Sequence, residues 1–400
     1  MLSVPDLSTV AQGALLLPVI GGSVFSCLGL LTAARFFGRP VATGTYRPPV
    51  TVLKPIYGLD KGLEESLEAL LSQDYSDYQI VLAVQRTDDP ALPLLRRLAA
   101  EHPARVTLVV KPSEPVINGK VQNLVNALTA ARHDLLIISD SDVRVAPDYL
   151  STMVAPLADN KVGYTCSLYR SMNADSWFEK LEMLSFNADF VPSLVFSYIT
   201  GAAEFCIGAS VAFRRSDLEH TGGMAALGDY LVEDYELGRR LMKLGKSMVL
   251  MPHTVDILAD FPSYLRWWNH QVYWDQNTRA ANPFGFACTI LTRSVPFALL
   301  FAGVRGFDFT GLNVLVTALG IRLVTAAWFQ GAYLKDREGL RALWLLPVRD
   351  MIALASWYVA ITRRSFEWRG LRFGLTRDGR ILPRDPTAMA QSPQISSVKP

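Results

Sequence analysis

Residues 134–150 read DLLIISDSDVRVAPDYL, and this stretch decides the fold. The apolar run Leu135–Ile138 predicts a strand buried on both faces, as parallel sheets require. It leads straight into Asp140-Ser141-Asp142, and Pro147 opens a predicted helix. Alternation along a strand places Asp140 and Asp142 on one face at its carboxyl end, where open α/β sheets bind ligands. Two carboxylates so placed repel each other unless a cation lies between them. A hard-oxygen pair of this kind suits Mg²⁺ or Mn²⁺ carried by a diphosphate. The plainer alternative is an Asx-rich turn with Asp148 near the start of the next helix.

Upstream, VTVLKPI (50–56) predicts a short strand ending at Lys54-Pro55, followed by the amphipathic helix LEESLEALLSQ. YQIVLAVQ (78–85) predicts the next strand, which stops before Asp88-Asp89-Pro90, and a helix follows through Leu94, Leu95 and Leu98. RVTLVVK supplies a third strand, Asn118-Gly119-Lys120 a turn, and residues 121–132 another helix. Short apolar strands alternating with helices predict an α/β domain with a parallel sheet. Neither GxGxxG nor GxxxxGK[ST] occurs, which argues against a dinucleotide oxidoreductase or a P-loop enzyme. The strand ends present instead Lys54, Asp89, Lys120, Asp140 and Asp142. Carboxylates for base or ribose, lysines for phosphate and an Asp pair for metal together suit a nucleoside diphosphate. Downstream, residues 159–215 read as less regular, with a strand over Phe205–Phe213 interrupted by Gly208 and Ser210. Glu233 and Asp234 head a helix that carries Leu237, Leu241 and Leu244 on one face and stops at Gly245. A carboxylate there is either a helix-dipole partner or, as Asp234, a general base.

The chain is 50% hydrophobic and 19% charged, richer in apolar residues than an ordinary soluble protein. Residues 13–34 carry no charge and are long enough to cross a hydrocarbon core of about 30 Å. Arg35, Arg39 and Arg47 follow and no Lys or Arg precedes, so the N-terminus is expected outside and the next domain in the cytoplasm. Without a basic n-region the segment reads as an uncleaved anchor. The segment SYLRWWNHQVYWDQNTRAANP (263–283) reads as an interface helix or as an aromatic floor with an arginine facing a leaving diphosphate. Apolar spans follow at 284–304 and 310–334. A third, 340–361, holds Pro347, Arg349 and Asp350 at its centre and is expected to be broken or interfacial, because unpaired charges are costly inside a bilayer. Two full C-terminal spans keep the basic tail on the catalytic side. The expected division is an anchor over 1–45, a catalytic domain over 46–262, the interface segment 263–283, a transmembrane region 284–362 and a tail 363–400, disordered from about residue 384. The isolated cysteines Cys27, Cys166, Cys206 and Cys288 exclude a disulfide framework and a zinc site. A net charge of +2 with scattered basic residues gives no sign of nucleic-acid binding.

The ordered set VQRTDDP (Asp89), ISDSDVRV (Asp140) and LVEDYELGRR (Asp234), with LKPIYGLD before it, INGKVQNL within it and FEWRGLRFGLTRDGR near the end, resembles the ceramide glucosyltransferase family. These are membrane-bound inverting glycosyltransferases, and the resemblance extends to bacterial relatives of the hopanoid pathway over residues 10–375. It implies a GT-A fold, the Rossmann-like fold of nucleotide-diphospho-sugar transferases, with N-terminal and C-terminal transmembrane helices. It further implies a UDP-sugar donor, a lipid acceptor (ceramide or a hopanoid alcohol) and a bacterial inner membrane with the catalytic domain cytoplasmic. In residue terms it implies Asp234 as base, Asp140 and Asp142 as ligands of Mg²⁺ or Mn²⁺, Lys120 at the diphosphate and Asp89 at the uridine. Cys206 falls where the family's substrate pocket lies; a buried core thiol is the plainer reading. One motif departs: where the family has (Q/R)xxRW, this chain has His270 and Tyr273 before Trp274. Arg279 is the expected substitute for the missing arginine. The departure argues against a processive polysaccharide synthase. A hopanoid N-acetylglucosaminyltransferase is the favoured expectation, with UDP-glucose ceramide glucosyltransferase as the alternative. DSDV also matches the nucleophile motif of haloacid-dehalogenase-like phosphatases, but three strands precede it here, whereas those enzymes carry it on the first. A non-catalytic scaffold is disfavoured because every site aspartate is present.

Overall fold

A computed structural model describes residues 7–40, 45–112, 118–202, 204, 206–363, 365–368, 371–376 and 379–383. The stretch from residue 384, expected to be disordered, lies outside them. The chain forms two compact units, each assembled from separated segments. One, the sheet unit, comprises the described residues of Pro40–Met172, Glu204–Asp260 and Ser365–Pro400; the other, the helical unit, those of Met1–Arg39, Asn173–Ala203 and Phe261–Arg364. The expected continuous domain over 46–262 is therefore interrupted, because residues 173–203 belong with the apolar helices.

In the sheet unit, strands β1 (Val50–Pro55), β2 (Tyr78–Val84), β3 (Val106–Val110), β4 (Leu135–Ser139), β5 (Val143–Arg144), β6 (Val162–Met172), β7 (Ser210–Arg214) and β8 (Ser247–Leu258) form one sheet in the order β3-β2-β1-β4-β7-β6-β8-β5. The first four pair in parallel, joined by the helices Leu63–Leu71, Leu92–Glu101 and Gly119–Leu128. Every residue of β1, β2 and β4 is buried, as their largely apolar runs predict, and the burial takes in the polar Thr51, Lys54 and Gln79 as well. Their carboxyl ends lie along one edge, where Lys54 and Asp140 stand. Strand β7 runs antiparallel to β4 and pairs Ser210 with Ser139, so the loop before β7 arrives beside the carboxyl end of β4.

The pairing of β6 with β8 has no counterpart in the sequence reading. VGYTCSLYRSM mixes polar with apolar residues, yet eight of its first eight positions are buried. The polar ones are satisfied inside: Thr165 Oγ1 donates to Met153 O at 2.7 Å and Ser167 Oγ to His253 O at 2.8 Å. In β8, Pro252 and His253 are squeezed out of register between Ser167↔Met251 and Leu168↔Thr254, as a bulge. A small second sheet joins β9 (Ser365–Trp368), β10 (Leu371–Leu375) and β11 (Ile381–Pro383). It is tied to the sheet unit by Leu231 N donating to Gly379 O and by Ile381 N donating to Asp229 O at 2.8 Å.

In the helical unit, Thr9–Phe37, Phe309–Leu334 and Leu343–Thr362 are each long and apolar enough to cross a membrane. The expected irregular span is elsewhere than the sequence suggested. Leu346–Thr362 is one helix, with Pro347 in its first turn where proline is tolerated and Asp350 ion-paired to Arg322 at 3.0 Å. The break falls instead at Arg293, where Pro283–Thr292 and Ser294–Val304 meet at 52°. Interhelical polar ties are buried here: Asp336 accepts from Asn187 Nδ2 at 2.7 Å while capping its own helix through Gly339 N at 2.8 Å.

Ser167→Ala leaves the half-buried His253 carbonyl without its donor. It is expected to cost about 1–3 kcal/mol, read as a lower Tm of the detergent-purified protein. An unchanged Tm shows that the bulge is not held by this bond.

Candidate active site

The site is built on the turn that ends β4. The strand stops at Ser139, so Asp140, Ser141 and Asp142 occupy a turn, closed by Val143 N donating to Asp140 O at 3.2 Å, and not the continuous strand from which their shared face was expected. Lys54, fully buried on the neighbouring β1, stitches this turn together. Its ammonium donates to Asp140 O at 2.7 Å, to Ser139 Oγ at 3.3 Å and to Val143 O at 3.3 Å. All three N–H groups are thus used within the protein, and what Lys54 does here is hold the backbone of the aspartate turn. Burial lowers its pKa to about 8, against the opposing pull of Asp142, Asp140 and Asp60.

Lys120 gathers the remaining charges. It sits in the first turn of Gly119–Leu128, whose start is fixed by Asn118: the Asn118 side chain accepts from the backbone N–H of Lys120 at 3.0 Å and of Val121 at 3.3 Å. From there its ammonium reaches Asp140 Oδ1 at 2.8 Å and Glu233 Oε1 at 3.1 Å. Burial alone would lower the Lys120 pKa, but Asp140, Glu233 and Asp234 together raise it well above the usual lysine value. Asp140 shows the converse: burial raises its pKa, Lys120 opposes this, and Asp142 and Glu233 reinforce it.

Asp234 lies beside Glu233 in the first turn of Glu233–Lys243, its Oδ1 accepting from Tyr235 N at 2.8 Å. The loop before β7 passes so close that a Cβ on Gly208 would lie 2.6 Å from Asp234 Oδ2, so a larger residue there has to displace the Asp234 side chain. Burial first, then the Glu233 and Asp140 charges, push the Asp234 pKa up to about 7, with Lys120 and the Tyr235 N–H opposing. Asp140, Lys120 and Asp234, singled out from sequence, therefore converge on one cluster. Glu233 completes it and was missed as a site residue, because an acidic first turn is ordinary at any helix start. Asp89 is held apart from these contacts: its oxygens accept from Gly58 N and Ala91 N, each at 2.9 Å, pinning the loop after β1 to the one after β2. Cys206 is buried with its sulfur 3.8 Å from that of Cys166, and burial raises its thiol well above the ordinary pKa, as expected of a core residue.

Trp274 and Arg279 belong to the helical unit, on the helix Tyr264–Ala281. Trp274 Nε1 donates to His270 Nε2 at 2.9 Å, so His270 carries its proton on Nδ1, 3.2 Å from Glu182 Oε1. Glu182 is itself buried and accepts from Trp267 Nε1 at 2.8 Å and from Gln271 Nε2. Arg279 donates to the carbonyls of Ala360, Ile361 and Arg363, at the end of the last long helix. Among the described residues no group of three or more His, Cys, Asp or Glu is poised to hold a metal. Asp140 and Asp142 share the one turn after β4, with Asp140 Oδ1 already engaged by Lys120.

The sequence profile of glycosyl transferase family 21 matches residues 16–381. Ceramide glucosyltransferase 1 of Caenorhabditis elegans is 28% identical over 229 residues, which cover 55% of this chain and 49% of that protein. Ceramide glucosyltransferase 3 of the same nematode is 23% identical over 353 residues, 84% of this chain and 74% of that protein. This chain spans about half the length of the first of these relatives. Among solved structures, the mannosyltransferase PcManGT from Pyrobaculum calidifontis, in complex with GDP-Man and Mn²⁺, superposes with a TM-score of 0.55 at 22% identity, covering 89% of this chain and 99% of that one. At that identity the likeness establishes the GT-A fold alone.

A carboxylate with a folded pKa near 7 and an unfolded value near 3.8 destabilises the folded protein progressively as pH rises between those values. Asp234→Asn is therefore expected to melt above the unsubstituted protein at pH 8 in the absence of divalent cations. The difference should shrink toward pH 4; equal Tm values at pH 8 would contradict the raised pKa.

Proposed function

Because the chain belongs to glycosyl transferase family 21, we propose that it moves a sugar, with inversion, from a UDP-sugar to the hydroxyl of a membrane lipid of the ceramide type. The observation that carries this reading is the Asp234 carboxylate, tuned to about 7 beside Lys120 and Asp140. A general base works best when its pKa lies near the working pH, where it is both unprotonated and basic enough to accept a proton. Asp234 takes the proton of the acceptor hydroxyl as that oxygen attacks the anomeric carbon, and the bond from that carbon to the UDP oxygen breaks on the opposite face. Lys120 neutralises charge developing on the departing diphosphate, and Lys54 keeps the aspartate turn in place during the change. Asp89, anchored between two strand-end loops, faces the uridine. Asp140 and Asp142 would hold Mg²⁺ or Mn²⁺, and a cation there supplies Lewis-acid stabilisation of the leaving group.

The ceramide glucosyltransferase relatives support glucose and ceramide over N-acetylglucosamine and a hopanoid alcohol. In this reading the helix Tyr264–Ala281, which carries Trp274 and Arg279, acts at the membrane interface; Arg279, expected at the diphosphate, is engaged with the carbonyls of Ala360, Ile361 and Arg363. The chain leaves the sheet unit after Asp260 and rejoins it at Ser365. The intervening residues must then cross a bilayer an even number of times, which Phe309–Leu334 and Leu343–Thr362 satisfy if the bent pair 283–304 does not cross. The positive-inside pattern around Arg35 and Arg39 supports a cytoplasmic sheet unit.

The reading is tested with purified protein, UDP-glucose or UDP-N-acetylglucosamine, and ceramide or bacteriohopanetetrol, with mass spectrometry of the lipid product. Glucosylceramide is the expected product, and Asp234→Asn should lower kcat by about 10²-fold or more. A variant retaining most activity rules out Asp234 as the base. The unsubstituted protein should lose kcat/KM below about pH 7, in step with protonation of Asp234. Lys120→Met removes the charge that lowers this pKa, so its acidic limb should move to higher pH. Chelation with EDTA should abolish transfer, and Mn²⁺ or Mg²⁺ restore it; transfer that persists in EDTA dismisses a metal role for Asp140 and Asp142.

A further inference from the structure

Within the helical unit a cavity of about 220 Å³ is lined by six charged residues: Asp189, Asp275 and Asp350 against Arg293, Arg322 and Arg349. Asp189 is the hub. It accepts from Arg293 Nη1 at 3.0 Å and from Arg322 and Arg349, while Asp350 accepts from Arg322 Nε at 3.0 Å. Ionised side chains among apolar helices are costly unless paired, and Asp189 and Asp350 meet that requirement through the three arginines. Pairing does not explain the space. Protein interiors pack to near-crystalline density, whereas these groups border a void. One of them also lacks a complete set of partners: Arg293 Nε, at the break between the two bent helices, is buried with no hydrogen-bond acceptor among the described residues. A buried N–H left so is destabilising, and an acceptor brought within reach by a bound molecule relieves it.

The walls specify the kind of molecule. Ser26, Ser193, Thr292 and Thr325 each donate their hydroxyl proton to a carbonyl of their own segment, at 2.6–2.8 Å, leaving the oxygen as an acceptor. The cavity therefore presents acceptors from these hydroxyls, Arg293 with its unpartnered Nε stands in its wall, and the formal charges of the lining cancel, three against three. A phosphate would meet guanidiniums already committed to carboxylates and three negative charges beside them. A group that both donates and accepts while carrying no charge, such as a hydroxyl or an amide, matches every wall. The volume is below the roughly 300–1,000 Å³ of pockets that enclose drug-sized ligands, so a head group fits and its chains do not. We propose that this cavity binds the uncharged hydroxyl- or amide-bearing head group of a membrane lipid, with the acyl chains left outside it. The inference rests on the reading that the long apolar helices cross a bilayer. The head group belongs either to the acceptor substrate or to a resident lipid of the same chemistry.

The test is native mass spectrometry of the full-length detergent-purified protein with short-chain ceramide, diacylglycerol and phosphatidylglycerol. The two neutral lipids are expected to bind about tenfold more tightly than the anionic one, and Ser26→Phe, which fills the cavity without touching an ion pair, to remove that preference. Arg293→Gln should weaken neutral-lipid binding about tenfold. A rise in acceptor KM at unchanged kcat in Ser26→Phe identifies the head group as the acceptor's; loss of binding with KM unchanged identifies a resident lipid. Either supports the site. Binding of phosphatidylglycerol as tight as that of ceramide, or neutral-lipid binding untouched by both substitutions, overturns it. Release of the unsubstituted protein from membranes by alkaline carbonate without detergent removes the bilayer premise and the proposal with it.

Discussion

One ammonium stands among carboxylates drawn from distant parts of the chain. Lys120 Nζ lies 2.8 Å from Asp140 and 3.1 Å from Glu233, with Asp234 next along the helix. Without it, a turn after β4 and the start of a helix some ninety positions later would bring like charges together in a partly dehydrated place. The arrangement constrains much else in the sheet unit. Asn118 must cap the helix so that Lys120 points into the cluster, and its side-chain amide donates on to Tyr230 O and to Glu233. Gly208 has no side chain where the loop before β7 runs against Asp234. Lys54 must hold the aspartate turn from below, since that turn carries charge and no regular strand bonds.

The cluster is also under tension of a useful kind. Lys120 lowers the pKa of Asp234, while burial, Glu233 and Asp140 raise it further, and the balance leaves a carboxylate near neutrality. A fully satisfied carboxylate would be a weak base, and an unopposed one would stay protonated. Glu233 thus has a part although it touches no proposed reacting atom: it shares the lysine and adds a negative charge next to the proposed base.

The helical unit solves a related problem. Asp189 draws three arginines from three separate helical segments, and Glu182 draws together Trp267, Gln271 and His270 from one helix. These polar centres fix the altered HQVYW segment in place: Trp274 is oriented by His270, and Gln271 passes the network through Ser185 to Arg349. In a chain that lacks the family's arginine at position 273, Arg279 is engaged with helix-terminal carbonyls, where a cation also meets the negative end of a helix dipole.

The local pattern of the sequence determined a good deal. Largely apolar runs marked β1, β2 and β4 as buried parallel strands, Pro and Asn marked helix starts, and long apolar stretches marked the long helices. Period and composition are local properties, and they carry such information without reference to partners. What escaped was decided by partners far away in sequence. The β6–β8 pair was illegible because Thr165 and Ser167 interrupt the apolar pattern, and their acceptors, Met153 O and His253 O, come from other parts of the chain. Arg349 and Asp350 argued against an intact helix until Asp189 and Arg322 neutralised them. Residues 173–203 were assigned to the sheet domain because nothing in their composition says which unit they pack with. The aspartates themselves were visible one by one; that Glu233 shares a lysine with Asp140, and that Asp234 is thereby held near neutrality, depends on distances between separate strand and helix ends. Charge interactions fall off with separation and with solvent, so only the folded arrangement settles which carboxylates act on one another.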